Sequence, residues 1–122
     1  QPRLPVLLGL APTARNIARV ASYADGWCPM QTPPEEVRMA VVALRRAFEA
    51  AGRDPATLIV RAPVPPLLDE CGGLDLAATF SAAERLREAG ATIVAIGLPP
   101  GLATIGELVE VVESIAAEAR GR

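Results

Sequence analysis

The sequence contains no histidine and very few aromatic residues, and both absences limit what the chain can do. Histidine is the commonest general base and the commonest metal ligand in proteins, so this chain lacks the usual starting point for either kind of site. Phe, Trp and Tyr together make up 3% of the 122 residues, whereas 51% of the residues are hydrophobic. Any core must therefore be built mainly from Ala, Val, Leu and Ile.

The chain also lacks a cysteine motif, a strong charge of one sign and a long apolar run. Cys28 and Cys71 are far apart and form no CxxC, which predicts two reduced thiols in a cytoplasmic protein. Basic and acidic residues are interspersed with a net charge of −2, so nucleic acid and membrane surfaces are not expected partners. No apolar stretch approaches the ~18 residues that span a bilayer, and no signal peptide is visible.

The length favours one domain or a piece of one. The sequence begins at Gln1 without an initiator methionine and enters an apolar segment almost at once, which is expected of a fragment of a longer protein. We therefore treat residues 1–122 as a single unit.

Four short apolar segments alternate with four segments of helical periodicity. The apolar segments, which we predict to be strands, are Val6–Leu8, Gly26–Pro29, Leu58–Val64 and Thr92–Gly97. Apolar residues three or four apart predict the four helices. Their stripes are Ile17, Val20, Ala21 and Ala24; Val37, Val41, Leu44 and Phe48; Phe80, Ala83 and Leu86; and Ile105, Leu108, Val112 and Ile115.

Two of the helix starts have the pattern of a capping box, in which a Thr side chain and a Glu three residues later bond each other's backbone N–H. Thr32 with Glu35 predicts the start of the second helix, with proline in its first turn. Thr104 with Glu107 predicts the start of the fourth helix. Gly52 and Gly90 are expected to end the second and third helices.

Strict alternation of strand and helix predicts a parallel α/β sheet with helical crossovers. Two architectures fit: half of an eight-stranded (β/α) barrel, or a small open parallel sheet of the doubly wound kind. In either one, ligands bind beyond the carboxyl ends of the strands. The corresponding segments are Gly9–Thr13, Cys28–Thr32, Val64–Asp75 and Gly97–Ile105.

A series of motifs resembles the luciferase-like monooxygenase family, whose members are TIM-barrel oxidoreductases that use FMN or the deazaflavin coenzyme F(420). In that family a strand of the type PPVWIGG leads into a Gly-Pro-Arg turn, a helix and a YADGW segment. The matching residues here are Pro5–Gly9, Ala11–Arg15 and Tyr23–Trp27, followed by Pro33–Glu36, Ala51–Pro55 and Ala89–Thr92. YADGW after such a helix is fairly specific, and the other matches are informative through their order.

The resemblance implies that residues 1–122 are a C-terminal half-barrel, strands five to eight of the family's barrel. It also implies a flavin- or deazaflavin-dependent oxidoreductase or monooxygenase acting on a small organic substrate. In the family the cofactor supplies the chemistry, so the protein orients it and excludes water. The sequence assigns no catalytic residue and no metal ligand of its own.

The segment from Gly9 to Arg15 is the best candidate for a binding site. A strand that ends in glycine and opens a helix presents free backbone N–H groups at the positive end of the helix dipole. The resemblance implies that this turn, including Gly9, Leu10, Ala11, Pro12, Thr13 and Arg15, binds the cofactor phosphate. Leu10 and Ala11 stand where the family often has glycines, and an ordinary strand–helix connection is the alternative.

Four further residues are candidates, and each has a structural interpretation. Trp27 is expected to pack in the core, with cofactor contact as the alternative. Gly97 either permits close approach of a cofactor or ends the last strand. Arg61 is unusual in an apolar strand and is expected to be solvated or paired with a carboxylate. Cys28, with no histidine to activate it, is expected to act as a small hydrophobic residue.

Two functions therefore remain open. The first is the cofactor-binding part of an oxidoreductase, with FMN or F(420) as cofactor. The second is a half-barrel without catalysis that forms a homodimer or assembles with an N-terminal half. It would leave sheet edges open at Val6–Leu8 and Ile93–Ile96, and open edges favour pairing with another chain.

Overall fold

A computed structural model describes residues 3–121 as one alternating series of strands and helices. The strands are β1 (Leu7–Leu8), β2 (Gly26–Trp27), β3 (Ile59–Val64) and β4 (Ile93–Ile96). The helices are α1 (Ala14–Tyr23), α2 (Pro34–Ala50), α3 (Leu76–Glu88) and α4 (Ile105–Gly121), and a 3₁₀ turn (Pro55–Thr57) precedes β3. The predicted α/β class and the order of its elements are confirmed.

The four strands form one parallel sheet in the order β1-β2-β3-β4. Each strand therefore pairs with the next one in the sequence, and the order never reverses. A doubly wound sheet of the Rossmann or flavodoxin type has such a reversal, at which its ligand binds. β1 and β4 are the two edges, as the sequence predicted.

The hydrophobic core lies between one face of the sheet and helices α1, α2 and α3. Leu8, Trp27 and Val60 stand side by side across three strands and all contact this core. α2 contributes Val37, Leu44 and other buried side chains of the predicted stripe. Paired residues on neighbouring parallel strands point to the same face of the sheet. Side chains alternate along each strand, so the residues adjacent in sequence to Leu8, Trp27 and Val60 point away from the helices.

The opposite face of the sheet is open. Cys28 follows β2 in line with Arg61, which pairs in register with Ile93. Arg61 is exposed, and the Ile93 side chain is 46% exposed. The expectation that Arg61 is solvated is confirmed for the part of the chain that the structure describes. This face, with the side chains of Cys28, Arg61 and Ile93, is called the open face below.

The second helix begins differently from the prediction. The N-cap is Pro33, which makes no side-chain capping bond, and Thr32 donates its hydroxyl to the carbonyl oxygen of Met30 instead. A residue before proline is pushed out of the helical region, and Thr32 and Pro33 both precede a proline. The helix therefore starts at Pro34, and the predicted capping box of Thr32 and Glu35 does not form.

The capping box of the fourth helix is confirmed. Thr104 Oγ1 accepts from the backbone N–H of Glu107 at 3.2 Å, and Glu107 Oε2 accepts from the N–H of Ala103 at 2.7 Å and of Thr104 at 3.1 Å. These bonds to the carboxylate lower the pKa of Glu107, the bond from Ala103 having the largest effect. None of the described side chains of α4 is buried.

The motif Tyr23–Trp27 has a structural role at the amino-terminal end of the sheet. The Asp25 carboxylate accepts from the backbone N–H of Val6 at 2.7 Å and from Arg3 at 3.1 Å. Gly26 lies within β2. A Cβ there would overlap the carbonyl oxygen of Ile59 and lie 2.7 Å from Leu7 Cδ2. Glycine at this position lets β3 approach β2 closely.

Candidate functional site

The turn between β1 and α1 is held by hydrogen bonds from its own residues. Thr13 has an extended backbone and is the N-cap of α1, because its Oγ1 accepts from the N–H of Asn16 at 3.3 Å. Asn16 Nδ2 donates to the carbonyl oxygen of Ala11 at 2.9 Å, and the N–H of Thr13 donates to the same oxygen at 2.8 Å. The backbone from Ala11 to Asn16 is therefore fixed before any ligand binds.

Trp27 holds this turn in place through a hydrogen bond to Leu10. Its side chain is 2% exposed in the core, and its Nε1–H donates to the carbonyl oxygen of Leu10 at 2.7 Å. The expected core packing of Trp27 is confirmed. A buried indole that bonds to the turn can influence a ligand through the position of Leu10, whereas direct contact with a cofactor stays a prediction.

The start of α1 presents backbone donors to the surface. Ala11, Pro12, Thr13, Ala14 and Arg15 are all exposed. Among the residues that the structure describes, nothing accepts a hydrogen bond from the backbone N–H of Ala14 or Arg15. Free N–H groups in the first turn of a helix, at the positive end of its dipole, form the geometry that binds phosphate and other anions.

Gly9 and Gly97, the two glycines among the predicted cofactor-binding residues, differ in how closely neighbouring atoms pack against them. A Cβ on Gly9 would meet only Met30 Sδ at 3.6 Å and Cys28 O at 3.8 Å, which are ordinary contacts. A Cβ on Gly97 would lie 2.9 Å from Pro66 Cδ and 3.2 Å from the carbonyl oxygen of Val64. The packing of the chain therefore requires glycine at position 97, whereas position 9 has room that a ligand could use.

The structure brings most of the predicted site residues together but separates one of them. Leu10, Ala11, Pro12 and Trp27 border the same small crevice, next to Asn16 and Ile17. Gly97 follows β4 at the opposite edge of the sheet. Three strand spacings, about 14 Å across an open sheet, separate β4 from β1, and Gly97 also lies four residues beyond Ile93, the residue of β4 that is level with Gly9. One ligand would contact both glycines more easily if the sheet curved into a barrel.

The next two loops at this end of the sheet border a larger groove of about 470 Å³. Its lining includes Gln31 and Pro33 from the loop after β2, Pro63 and Pro65 from the end of β3, and Arg85 of α3. Gln31 has a φ of 45°, an uncommon conformation for a residue other than glycine.

The loop after β3 is held together by Asp69, whose Oδ1 accepts from the N–H groups of Cys71 and Gly73.

Sequence reasoning named Thr13 and Trp27 but missed Asn16 and the hydrogen bonds that organise the turn. Thr13 and Asn16 are separated by the three positions typical of a capping interaction, so this signal was present in the sequence. The bond from Asn16 Nδ2 to Ala11 and the bond from Trp27 to Leu10 have no such local signal. They depend on how the turn folds back on the helix and on β2.

The residues that the structure describes contain neither a cluster of metal ligands nor a membrane-spanning helix. Within residues 3–121, no three Cys, Asp or Glu side chains come close enough together to hold a metal ion. No helix in that range is both long enough and apolar enough to cross a membrane.

Comparisons with known proteins give relatives without an assigned function. No model of a protein family matches the sequence. Uncharacterized proteins of Mycobacterium tuberculosis and Mycobacterium bovis are 36% identical over 101 residues, which is 81% of this chain and 30% of each relative. The chain thus spans about a third of the length of these curated relatives. Among solved structures, DmoA from Hyphomicrobium sulfonivorans matches 68% of this chain and 18% of its own, with 23% identity and a TM-score of 0.44.

Proposed function

We propose that this chain is the C-terminal half of a luciferase-like (β/α)8 barrel, and that the turn Gly9–Arg15 binds the phosphate of its flavin or deazaflavin cofactor. The observation that supports this most directly is the turn itself. It lies beyond the carboxyl end of β1, its backbone is fixed by Asn16, and the N–H groups of Ala14 and Arg15 are free. Parallel α/β proteins bind phosphate at such a position.

The strand order supports the barrel. Each of the four parallel strands pairs with its successor, and the shared core places α1, α2 and α3 on one face of the sheet. A (β/α)8 barrel is built from this sequential arrangement, with its helices outside and its other sheet face inside. In the proposed barrel the open face would become the interior, and β1 and β4 would pair with strands of the other half.

The residues of the turn fit the phosphate of FMN or of F(420). The backbone N–H groups would bind phosphate oxygens, Gly9 leaves room for close approach, and the exposed Arg15 adds a positive charge. Either cofactor, when bound, supplies the hydride or oxygen chemistry of an oxidoreductase or monooxygenase. The part assigned to this chain is to anchor the cofactor and orient it toward a small organic substrate.

A fluorescence titration of the folded chain with F(420) and FMN in parallel tests the cofactor site. Saturable binding of one of them, weakened about tenfold or more by Ala11→Asp, is the expected result, because a carboxylate in the turn repels phosphate. Ala117→Asp, an equal charge change on the exposed surface of α4, should leave binding unchanged. If both variants bind like the unmodified chain, the phosphate lies elsewhere.

The exposed edges favour assembly as a second function. Ile93 on the edge strand β4 is 46% exposed, and Val6 beside β1 is 44% exposed. Strand edges and apolar surface of this kind favour pairing with a second copy or with an N-terminal half. Native mass spectrometry should then show a dimer that Ile93→Lys weakens, whereas Val112→Lys on α4 does not. A folded monomer at micromolar concentration would count against this function.

A further inference from the structure

Arg61 is a charged residue on a face of the sheet that is otherwise apolar. By register and alternation, the described strand residues on this face are Leu7, Gly26, Ile59, Arg61, Pro63, Ile93 and Ala95. Arg61 is the only charged residue among them. It lies in the middle of β3, with its guanidinium over the open face.

The guanidinium has no carboxylate partner among residues 3–121. Within the same range its one polar contact is with Cys28, whose Sγ lies 3.9 Å from Arg61 Nη1. The same thiol donates to the carbonyl oxygen of Arg61 at 3.1 Å. An arginine that becomes enclosed without an anion is strongly destabilising, so closure of this face would require an anion beside Arg61.

Arg61 and the proposed cofactor turn lie at the same height on the sheet. Leu8 pairs in register with Trp27 and Trp27 with Val60, so the residues that follow them, Gly9, Cys28 and Arg61, continue as one row. A Cβ on Gly9 would lie 3.8 Å from the carbonyl oxygen of Cys28, which agrees with this alignment. Two strand spacings, about 10 Å, separate Gly9 from Arg61, so both can contact one small-molecule complex.

We propose that Arg61 binds the anionic oxygen atoms of a small molecule, a carboxylate or a phosphate, held on the open face next to Gly9. The planar guanidinium forms two parallel hydrogen bonds to either group. This inference rests on the proposed function, because a closed barrel is what makes the open face a binding cavity. It adds a second anion contact, separate from the turn at Gly9–Arg15.

The neighbouring thiol provides a readout that does not depend on activity. In a Cys71→Ser background Cys28 is the single thiol, and its alkylation by iodoacetate (anionic) and iodoacetamide (neutral) can be compared at low salt. Arg61→Gln should lower the ratio of the two rate constants about threefold, the effect of a unit charge a few ångströms away in water. Arg61→Lys should keep the ratio, and so should Arg45→Gln, an equal charge change on the exposed surface of α2.

Protection of Cys28 from iodoacetamide then identifies the anion. Inorganic phosphate, butyrate and FMN are used as probes, and protection by at least one of them that disappears in Arg61→Gln is the expected result. Protection by butyrate but not phosphate indicates a carboxylate ligand, and the reverse indicates a phosphate. An unchanged rate ratio in Arg61→Gln, or the absence of protection by all three probes, would overturn the proposal.

The two proposals fail in different ways. Loss of FMN protection in Arg15→Gln, with butyrate or phosphate protection intact, would assign the cofactor to the turn and the second anion to Arg61. The fluorescence titration could detect no cofactor binding while one of the probes still protects Cys28 in an Arg61-dependent way. In that case the proposed cofactor turn is wrong and the Arg61 site stands.

Discussion

Arg53 Nη2 lies 3.8 Å from Asp25 Oδ1, and Nη1 of the same guanidinium donates to the carbonyl oxygen of Ala24 at 2.6 Å and of Ala21 at 3.0 Å. Arg53 therefore caps the carboxyl end of α1, where the helix dipole is negative, and joins it to the Asp25 carboxylate, which accepts from the N–H of Val6 just before β1. Its guanidinium carbon also lies 4.1 Å from the centre of the Phe48 ring at the end of α2. One side chain thus connects two helices with Asp25, the residue that precedes β2.

Arg53→Ala should lower the free energy of unfolding by about 3 kcal/mol, because partly buried helix carbonyls lose a charged donor and Asp25 loses a partner. Arg53→Lys should recover part of the loss, since one ammonium cannot bond all of these groups at once. Urea denaturation followed by circular dichroism measures both. Arg46→Ala, on the exposed surface of α2, should change the stability by less than about 0.5 kcal/mol. Equal losses in the two alanine variants would contradict the role of Arg53.

Gly26→Ala should destabilise the fold, whereas Gly9→Ala should not. A methyl group at position 26 overlaps the carbonyl oxygen of Ile59 and forces β2 away from β3. This should lower the free energy of unfolding by about 3 kcal/mol or more. At position 9 the nearest atom is Met30 Sδ at 3.6 Å, so the chain should fold normally and lose affinity only for a cofactor. Thermal unfolding combined with the FMN and F(420) titration separates the two effects. A stable Gly26→Ala variant would show that the strands have room to move apart.

Trp27→Phe should keep most of the core packing and remove the hydrogen bond to Leu10. The expected loss of stability is about 1–2 kcal/mol, because the Leu10 carbonyl loses its donor. Urea denaturation measures that loss, and cofactor affinity should fall with it if the position of Leu10 shapes the turn. Phe80→Leu, a change in α3 away from the turn, serves as a control in which affinity stays constant. If Trp27→Phe leaves affinity unchanged, the turn holds its shape without the indole.

Glu107 should make the start of α4 sensitive to acid. Its ionised carboxylate accepts from the backbone N–H groups of Ala103 and Thr104, so its pKa in the folded chain lies below the ordinary value of 4.5. The stabilisation is therefore complete above the ordinary value and is lost as the pH falls through the lowered pKa. An NMR titration should show the amide signals of Ala103 and Thr104 shifting with the Glu107 carboxyl. Glu107→Gln should abolish this pH dependence, and its persistence in the variant would contradict the assignment.

The order of elements followed from the sequence because apolar periodicity reports which face of each element is buried. α2 matches its predicted stripe, since Val37 and Leu44 contact the core, and β3 lies within the predicted strand Leu58–Val64. The start of α2 did not follow, because the steric effect of consecutive prolines on Thr32 and Pro33 outweighs the capping pattern. The role of Gly26 did not follow either, since its restricting neighbour Ile59 is distant in sequence and adjacent only in the sheet.

The candidate site was located by the position of Gly9 after a strand and before a helix. What holds the site in place could not be seen in the same way. Arg53 was noted only as one position of the Ala51–Pro55 motif, and nothing local indicates that its guanidinium reaches the end of α1. Charged side chains that bond backbone carbonyls of another element leave no periodic signal. Their partners become visible when the helices are packed together.

The buried connections are concentrated in the first part of the chain, and the stability of the fold should be distributed in the same way. Arg53, Trp27 and the shared core join α1, β2 and α2, whereas α4 has no buried side chain among its described residues. Segments with few buried contacts open locally at a fraction of the global unfolding free energy. In deuterated water the amides of α4 should therefore exchange long before those of α2. The turn that we assign to the cofactor would belong to the slowly opening unit.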